Sequence, residues 1–186
     1  VAGRGATVVL AGGGRGSFGA ADGWVVNVCR VYVDGAAVGV RGEPDRLLLG
    51  GLRERFRITS VKNGCAPRQQ CGACVALVDG VPKTSCALTM DKVQGKQVLT
   101  VEGLGQDERE LFSRAFQAAA GLQCGFCTPG LLLRVKWLTD LARPLPPAEI
   151  AKALSGPICR CTGYVKIIHA THMHLASHTG TAAPHP

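Results

Sequence analysis

The segments "CGFCTPG", residues 124–130, and "CRCTGY", residues 159–164, carry the strongest structural information in the chain. The first contains two cysteines separated by two residues, and the second contains two cysteines separated only by Arg160. A disulfide between residues two apart is sterically awkward, and a C-x-C pair lies outside the usual zinc-ligand spacing. The spacing therefore favours a metal–thiolate centre that draws sulfurs from both segments.

Both cysteine pairs come directly before a predicted helix start. Thr128 is predicted as an N-cap with Pro129 at the first helical position, and Thr162-Gly163 precedes a second helix. Helix N-termini carry partial positive charge and spare N–H donors, which favour thiolate over thiol. We refer to Cys124, Cys127, Cys159 and Cys161 as the helical quartet, and we expect two helix starts to clamp one centre.

Four other cysteines form a second group in the first half of the chain. This loop quartet consists of Cys65, Cys71, Cys74 and Cys86. Its spacing, C-x5-C-x2-C-x11-C, is close to the C-x4-C-x2-C…C pattern of plant-type 2Fe–2S proteins. The segment around the first three cysteines, "KNGCAPRQQCGAC", has no periodicity and is predicted as a loop that can absorb one extra residue. Its glycines, Gly64 and Gly72, allow the backbone to approach a cofactor closely.

Two other interpretations of the eight cysteines stay open at this point. Structural zinc on four thiolates is the first, and a disulfide framework is the second. The C-x-C pair and the division into two quartets favour iron–sulfur chemistry over both. The ninth cysteine, Cys29, lies in a strand pattern and is predicted to be a packed core residue.

The hydrophobic patterns predict an α+β protein with a β-rich half followed by an all-helical half. The predicted divisions are a flexible extension (1–23), a β-rich domain (24–103), a four-helix domain (104–176) and a disordered tail (177–186). In the β-rich half, hairpins are expected to turn on Asp34-Gly35 and Asp79-Gly80. A short helix over 45–56, with Asp45 as its N-cap and Leu48, Leu49 and Leu52 inward, and a strand over 97–103 complete this half.

The remaining composition argues against several functions. The net charge of +8 is scattered, which indicates a solvated basic surface and no nucleic-acid partner. No run of 18 apolar residues is present, so no membrane span is expected. The histidine-rich segment "HATHMH", residues 169–174, is predicted to be a solvated helix end. We expect a cytoplasmic location, or a periplasmic one if a leader precedes Val1.

Four segments in order along the chain resemble one known family. "GCAPRQQCGACVALVDG", "TVEGL", "LQCGFCTPG" and "ALSGPICRCTGYVKII" are similar to the iron–sulfur subunits of the molybdenum hydroxylases, which include xanthine dehydrogenase, aldehyde oxidoreductase and carbon monoxide dehydrogenase. The resemblance covers about residues 25–172. It implies a plant-ferredoxin-like β-grasp domain followed by a four-helix bundle, with one 2Fe–2S cluster held by each cysteine quartet.

The resemblance also implies a role in a heteromeric oxidoreductase. Its members relay electrons from a molybdopterin-type molybdenum cofactor on a large subunit to FAD on a medium subunit. By this resemblance Gln123 and Cys161 approach the pterin, and the chain itself has no substrate site. The helical quartet would be the first electron acceptor, and its apolar flanking helices suggest that it is buried, whereas Arg68, Gln69 and Gln70 of the other loop are expected to be exposed.

A free-standing ferredoxin-type carrier and a zinc-stabilised interaction module are the alternative functions. A fixed subunit should expose a large apolar surface near Gln123 and Cys161, and a free carrier should not.

Overall fold

Apolar strands in the N-terminal half build a mixed sheet. The computed structural model describes residues 9–10, 14–15, 28–41 and 43–179. The described strands are β1 (Val9–Leu10), β2 (Gly14–Arg15), β3 (Val28–Val33), β4 (Ala36–Arg41), β5 (Val75–Val78), β6 (Val81–Thr84) and β7 (Gln97–Leu99). Their order is β2-β1-β4-β3-β7-β5-β6, with β1–β4 and β3–β7 parallel and the other pairs antiparallel. The predicted flexible extension over residues 1–23 lies outside the described residues, apart from β1 and β2 at the sheet edge.

Both predicted hairpin turns are confirmed. Asp34 and Gly35 have φ angles of 50° and 81°, and Asp79 and Gly80 have φ angles of 49° and 76°. Two successive left-handed residues give a turn whose twist matches that of the flanking strands, and Asp-Gly is favoured there. The turns fix the registers of β3 with β4 and of β5 with β6.

The predicted helix over 45–56 forms differently from the prediction. A short α-helical turn, α1 (Leu48–Gly50), continues as a π-helix over Gly51–Arg55. Leu48, Leu49 and Leu52 are buried as expected, but the predicted N-cap at Asp45 is wrong because Leu47 occupies that position without a side-chain cap. The first turn is held instead by the Leu48 N–H, which donates to the Leu88 carbonyl at 2.8 Å.

The strand predicted over 97–103 ends early. β7 stops at Leu99, and Val101–Gly103 forms a 3-10 turn. The Asp34 carboxylate accepts hydrogen bonds from the Thr100 N–H and hydroxyl, both at 2.7 Å, and so bends the chain out of the sheet.

The C-terminal half is helical, as predicted. Its described helices are α2 (Gln106–Ala118), α3 (Thr128–Asp140), α4 (Pro147–Leu154) and α5 (Val165–Thr179). α3 begins one residue earlier than expected, because Cys127 and not Thr128 occupies the N-cap position. None of the described helices combines the length and the apolar character that a bilayer crossing requires. The predicted tail begins inside α5, and residues 180–186 of it lie outside the described residues.

Strand β5 links the cores of the two halves. Val75 and Leu77 pack into the helical core with residues such as Phe116, whereas Ala76 and Val78 belong to the core of the β-rich half. Successive side chains of a strand point to opposite faces, so β5 is buried on both sides. The cysteine loop that leads into β5 is therefore held next to the helices.

The expectation of a solvated histidine segment is wrong for His174. Its side chain is 5% exposed and lies against Phe112 and His178. Burial first, and then the nearby His178, lowers the pKa of His174 to about 4, so the imidazole is neutral near pH 7. Helix α5 packs His174 against α2. The sequence pattern alone did not indicate that these two helices are in contact.

Candidate metal centres

The loop quartet is assembled from a loop and a hairpin. Cys74 precedes β5, and Cys86 lies in the 3-10 turn Ser85–Ala87 that follows β6. Their sulfurs are 3.3 Å apart and both residues are buried. The Ser85 N–H and hydroxyl donate to the Cys74 carbonyl at 3.0 and 2.8 Å, which holds the two segments together. Cys65 and Cys71, which are hydrogen-bonded to each other, lie nearer the surface.

Backbone N–H groups of the loop point at the sulfurs. Ala66, Gln69 and Gly72 have φ angles of 50°, 59° and 63°, and such left-handed residues turn successive amides to one side. The Gln70 and Cys71 amides, with a smaller contribution from Arg68, lower the pKa of Cys65 to about 6. This loop therefore favours a thiolate at its exposed end.

At the inner end of the loop quartet, burial dominates the electrostatics. It raises the pKa of Cys86 to about 11, although the Gln69 N–H opposes this shift. A buried thiolate at this position would need a counter-charge, which a metal ion provides.

The helical quartet lies where α3 and α5 begin. The Cys124 and Cys161 sulfurs are 3.5 Å apart and both residues are exposed. Cys127 and Cys159 are buried and hydrogen-bonded to each other. Burial raises the pKa of Cys127 to about 12, while the Phe126 N–H is the main cause of a lowered pKa at Cys124.

Tyr164 fixes the segment that carries Cys159. Its hydroxyl accepts a hydrogen bond from the Cys159 N–H at 2.8 Å and donates to the Pro157 carbonyl at 2.9 Å. Sequence reasoning missed this role. The only sequence signal is the tyrosine that ends "CRCTGY", because the hydrogen bonds depend on a left-handed turn through Gly163 and Tyr164, with φ angles of 63° and 68°.

The arrangement of the sulfurs fits a two-iron cluster. All nine cysteines are free thiols, so the disulfide framework is excluded. In the described part of the chain, no three His, Cys, Asp or Glu side chains are placed to hold one metal ion together. Each quartet instead forms two pairs, which are Cys65/Cys71, Cys74/Cys86, Cys124/Cys161 and Cys127/Cys159. A 2Fe–2S cluster takes two protein ligands on each iron, whereas zinc needs four ligands around one ion.

Comparison with known proteins agrees with this geometry. Residues 100–172 match the family described as [2Fe-2S] binding domain. The chain is 40% identical over 136 residues to the nicotinate dehydrogenase small FeS subunit of Eubacterium barkeri, covering 73% of this chain and 86% of that one. It is 39% identical over 121 residues to the xanthine dehydrogenase iron-sulfur-binding subunit of Escherichia coli, covering 63% and 75%. The chain belongs to the 2Fe–2S small subunits of the molybdenum hydroxylases.

The fold of this small subunit is shared with solved structures. It aligns with quinoline 2-oxidoreductase from Pseudomonas putida 86 with a TM-score of 0.74 and 32% identity, over 84% of this chain and 99% of that chain. It also aligns with the aldehyde oxidoreductase from Desulfovibrio desulfuricans ATCC 27774 with a TM-score of 0.76 and 32% identity, over 82% of this chain and 17% of that chain. The likeness extends over both halves of the small subunit.

The small subunit exposes the residues that were expected to face a pterin. Gln123 and Cys161 are both exposed, and the sulfur contact between Cys124 and Cys161 places them on the same edge. The expectation that the helical quartet is buried is wrong for Cys124 and Cys161. Both come from the outer end of the helices, where side chains meet solvent and not other helices.

Large apolar side chains surround this exposed edge. Phe126 is 46% exposed, Ile158 is 54% exposed and Val165 is 75% exposed. All three lie within four residues of a member of the helical quartet. The polar loop residues Arg68, Gln69 and Gln70 are exposed, as predicted.

Proposed function

We propose that this small subunit relays electrons through two 2Fe–2S clusters, from a molybdopterin centre on a large partner subunit to FAD on a medium partner subunit. The observation that carries the proposal is the folding of two separate cysteine quartets into thiol pairs with backbone N–H donors around them. The assigned ligands are the loop quartet, in a β-grasp domain over 24–103, and the helical quartet, in a four-helix domain over 104–176.

Each quartet would control one cluster through its surroundings. Bound 2Fe–2S clusters supply one-electron redox chemistry. The N–H donors around Cys65 and Cys124 stabilise charge on sulfur, and hydrogen bonds of this kind are one determinant of the reduction potential. The buried members Cys74, Cys86 and Cys127 exclude water from the inner side of each centre.

The exposed edge of the helical quartet supports a fixed position in a complex. Phe126, Ile158 and Val165 would be covered by the molybdopterin-binding subunit, with Gln123 and Cys161 directed toward the pterin. Exposed apolar groups of this kind mark interaction surfaces, and a free-standing carrier gains nothing from them. The polar rim of the loop quartet would then face the FAD-binding subunit. The cytoplasmic location expected from the sequence stays a prediction.

Affinity purification of the tagged chain from its own cells tests the proposed complex. We expect two larger chains to co-purify in constant ratio, together with molybdenum and FAD. Isolation of the chain alone, with both clusters and no bound partner, would instead favour a free electron carrier.

The order of the centres is tested by disabling the loop quartet in the assembled complex. With Cys71→Ser, substrate should still reduce the helical-quartet cluster, but electron transfer to FAD should stop. Cys29→Ser is the matched control, because it removes a buried thiol outside both quartets. Normal flavin reduction in the Cys71→Ser complex would show that the order is wrong.

A further inference from the structure

Thr162 directly follows the C-x-C pair, and its hydroxyl contacts a cysteine sulfur. The Thr162 Oγ1 atom lies 3.1 Å from the Cys159 Sγ atom. Cys159 is buried and Thr162 is half-buried, so this contact belongs to the buried side of the helical quartet and not to the side that Cys124 and Cys161 expose. Among the described residues, no other side-chain hydroxyl is hydrogen-bonded to a cysteine sulfur.

A second hydrogen bond orients the Thr162 hydroxyl. The Tyr164 N–H donates to the Thr162 Oγ1 atom at 3.2 Å, so this oxygen accepts from the backbone while its own proton stays available for the sulfur. Gly163 and Tyr164, with φ angles of 63° and 68°, turn the backbone back toward the threonine side chain. A cysteine that binds a metal is a thiolate, which has no proton and can only accept a hydrogen bond. The Thr162 hydroxyl is therefore the donor when Cys159 is a ligand.

The loop quartet has no equivalent donor in the part of the chain that the structure describes. The hydroxyl of Ser85, which directly precedes Cys86, donates to the Cys74 carbonyl at 2.8 Å and not to a sulfur. The sulfurs of this quartet accept instead from backbone N–H groups, such as the Arg68 N–H, which lies 3.3 Å from the Cys65 Sγ atom. The two quartets thus differ by one side-chain contact that stabilises negative charge on sulfur.

We propose that Thr162 raises the reduction potential of the helical-quartet cluster through its hydrogen bond to the Cys159 sulfur. This inference rests on the proposed function. Reduction adds one electron to the centre and increases the negative charge on its sulfurs, so the hydrogen bond is stronger in the reduced state than in the oxidised state. The proton stays on the Thr162 oxygen in both states. Because Thr162 acts through Cys159, it is a positioning residue and not a ligand.

Thr162→Val tests the proposal, because valine keeps the branched shape of threonine and lacks the hydroxyl. The assembled complex is titrated with dithionite in the presence of redox mediators, and electron paramagnetic resonance follows the signal of each cluster. At a fixed ambient potential, the ratio of reduced to oxidised helical-quartet cluster should fall about tenfold, which corresponds to a midpoint about 59 mV lower for a one-electron couple. The midpoint of the loop-quartet cluster should not change.

Two matched controls separate the hydroxyl from other changes at a helix start. Thr162→Ser keeps the hydroxyl and should retain the wild-type midpoints. Thr128 follows Cys127 as Thr162 follows Cys161, but within the described structure its hydroxyl makes no hydrogen bond to a sulfur. Thr128→Val should therefore leave both midpoints unchanged.

A second pair of variants decides if Thr162→Val does not retain its iron. Thr162→Ala and Thr162→Ser differ by a single oxygen, and we expect the helical-quartet midpoint to be lower in Thr162→Ala. Equal midpoints in these two variants would overturn the proposal. Loss of iron from both Thr162→Val and Thr162→Ala would also overturn it, because the hydroxyl would then hold the segment together and not adjust the potential.

The titration of Thr162→Val gives the most direct contradiction. A variant with full iron and an unchanged helical-quartet midpoint, or with an equal shift of both midpoints, would show that the hydroxyl does not act on one centre. A wild-type complex without two iron–sulfur signals would instead refute the proposed function, so the two failures are distinguishable.

Discussion

Replacement of Tyr164 by phenylalanine should loosen one quartet selectively. The substitution keeps the ring but removes the hydroxyl that joins the Cys159 N–H to the Pro157 carbonyl, at 2.8 and 2.9 Å. Both groups belong to buried residues, so water reaches them poorly once the hydroxyl is gone. The segment that carries Cys159 and Cys161 should therefore open more often, while the loop quartet stays unaffected.

The size of the effect follows from these two hydrogen bonds. Each contributes about 0.5–1.5 kcal/mol net, and a buried group left without a partner costs about 1–3 kcal/mol. We expect the closed segment to lose about 2 kcal/mol, which makes its open form about 30-fold more populated.

Release of iron to a chelator measures this opening. Bleaching of the visible absorption should show two phases, assigned to the two quartets by the electron paramagnetic resonance signals that remain at each time. Tyr164→Phe should accelerate only the helical-quartet phase, by about 30-fold. Tyr32→Phe is the matched control, because Tyr32 is 39% exposed. Equal bleaching rates in the two variants, or equal acceleration of both phases, would refute the reasoning.

Two further predictions concern single side chains. Cys86→Ser should lose only the loop-quartet cluster, while Cys29→Ser should keep all its iron and lose about 1–3 kcal/mol of stability from a buried hydroxyl; iron loss from Cys29→Ser would contradict the ligand assignment. The unfolded chain takes up a proton on His174 near pH 6.5 and the folded chain only near pH 4, so stability present above pH 6.5 should be lost as the pH falls through this window. Urea unfolding should show a loss of about 3 kcal/mol between pH 7 and pH 4 that is absent in His174→Leu. His178 adds to the lowering of the His174 pKa, and the Glu108 carboxylate opposes it. An equal pH dependence of unfolding in the wild type and in His174→Leu would contradict the prediction.

Sequence patterns predicted the features that depend on local chemistry. The Asp-Gly turns and the helices of the C-terminal half follow from residue types within a few positions. The grouping of the cysteines follows from spacing, and the structure forms two contacting thiol pairs within each predicted quartet. Cys29 is 2% exposed in the core of the β-rich half, as its strand pattern indicated.

Features that depend on distant contacts were not predictable in the same way. Asp45 is a suitable N-cap by type, but the Leu88 carbonyl fixes the first turn of α1 from across the fold. The sequence pattern predicts a solvated side chain at His174, yet helix α2 covers it. The Ile158 N–H donates to the Cys71 carbonyl at 2.8 Å across two segments whose approach depends on Gly72, because a Cβ there would overlap the Gly156 carbonyl.

Iron and acid-labile sulfide analysis of the purified chain, combined with electron paramagnetic resonance after reduction, tests the central claim most directly. We predict about four iron atoms and about four sulfides per chain, with two distinct signals of equal intensity, one for each quartet. Zinc in place of iron, or a single signal with about two iron atoms, would contradict the assignment of one 2Fe–2S cluster to each half of the chain.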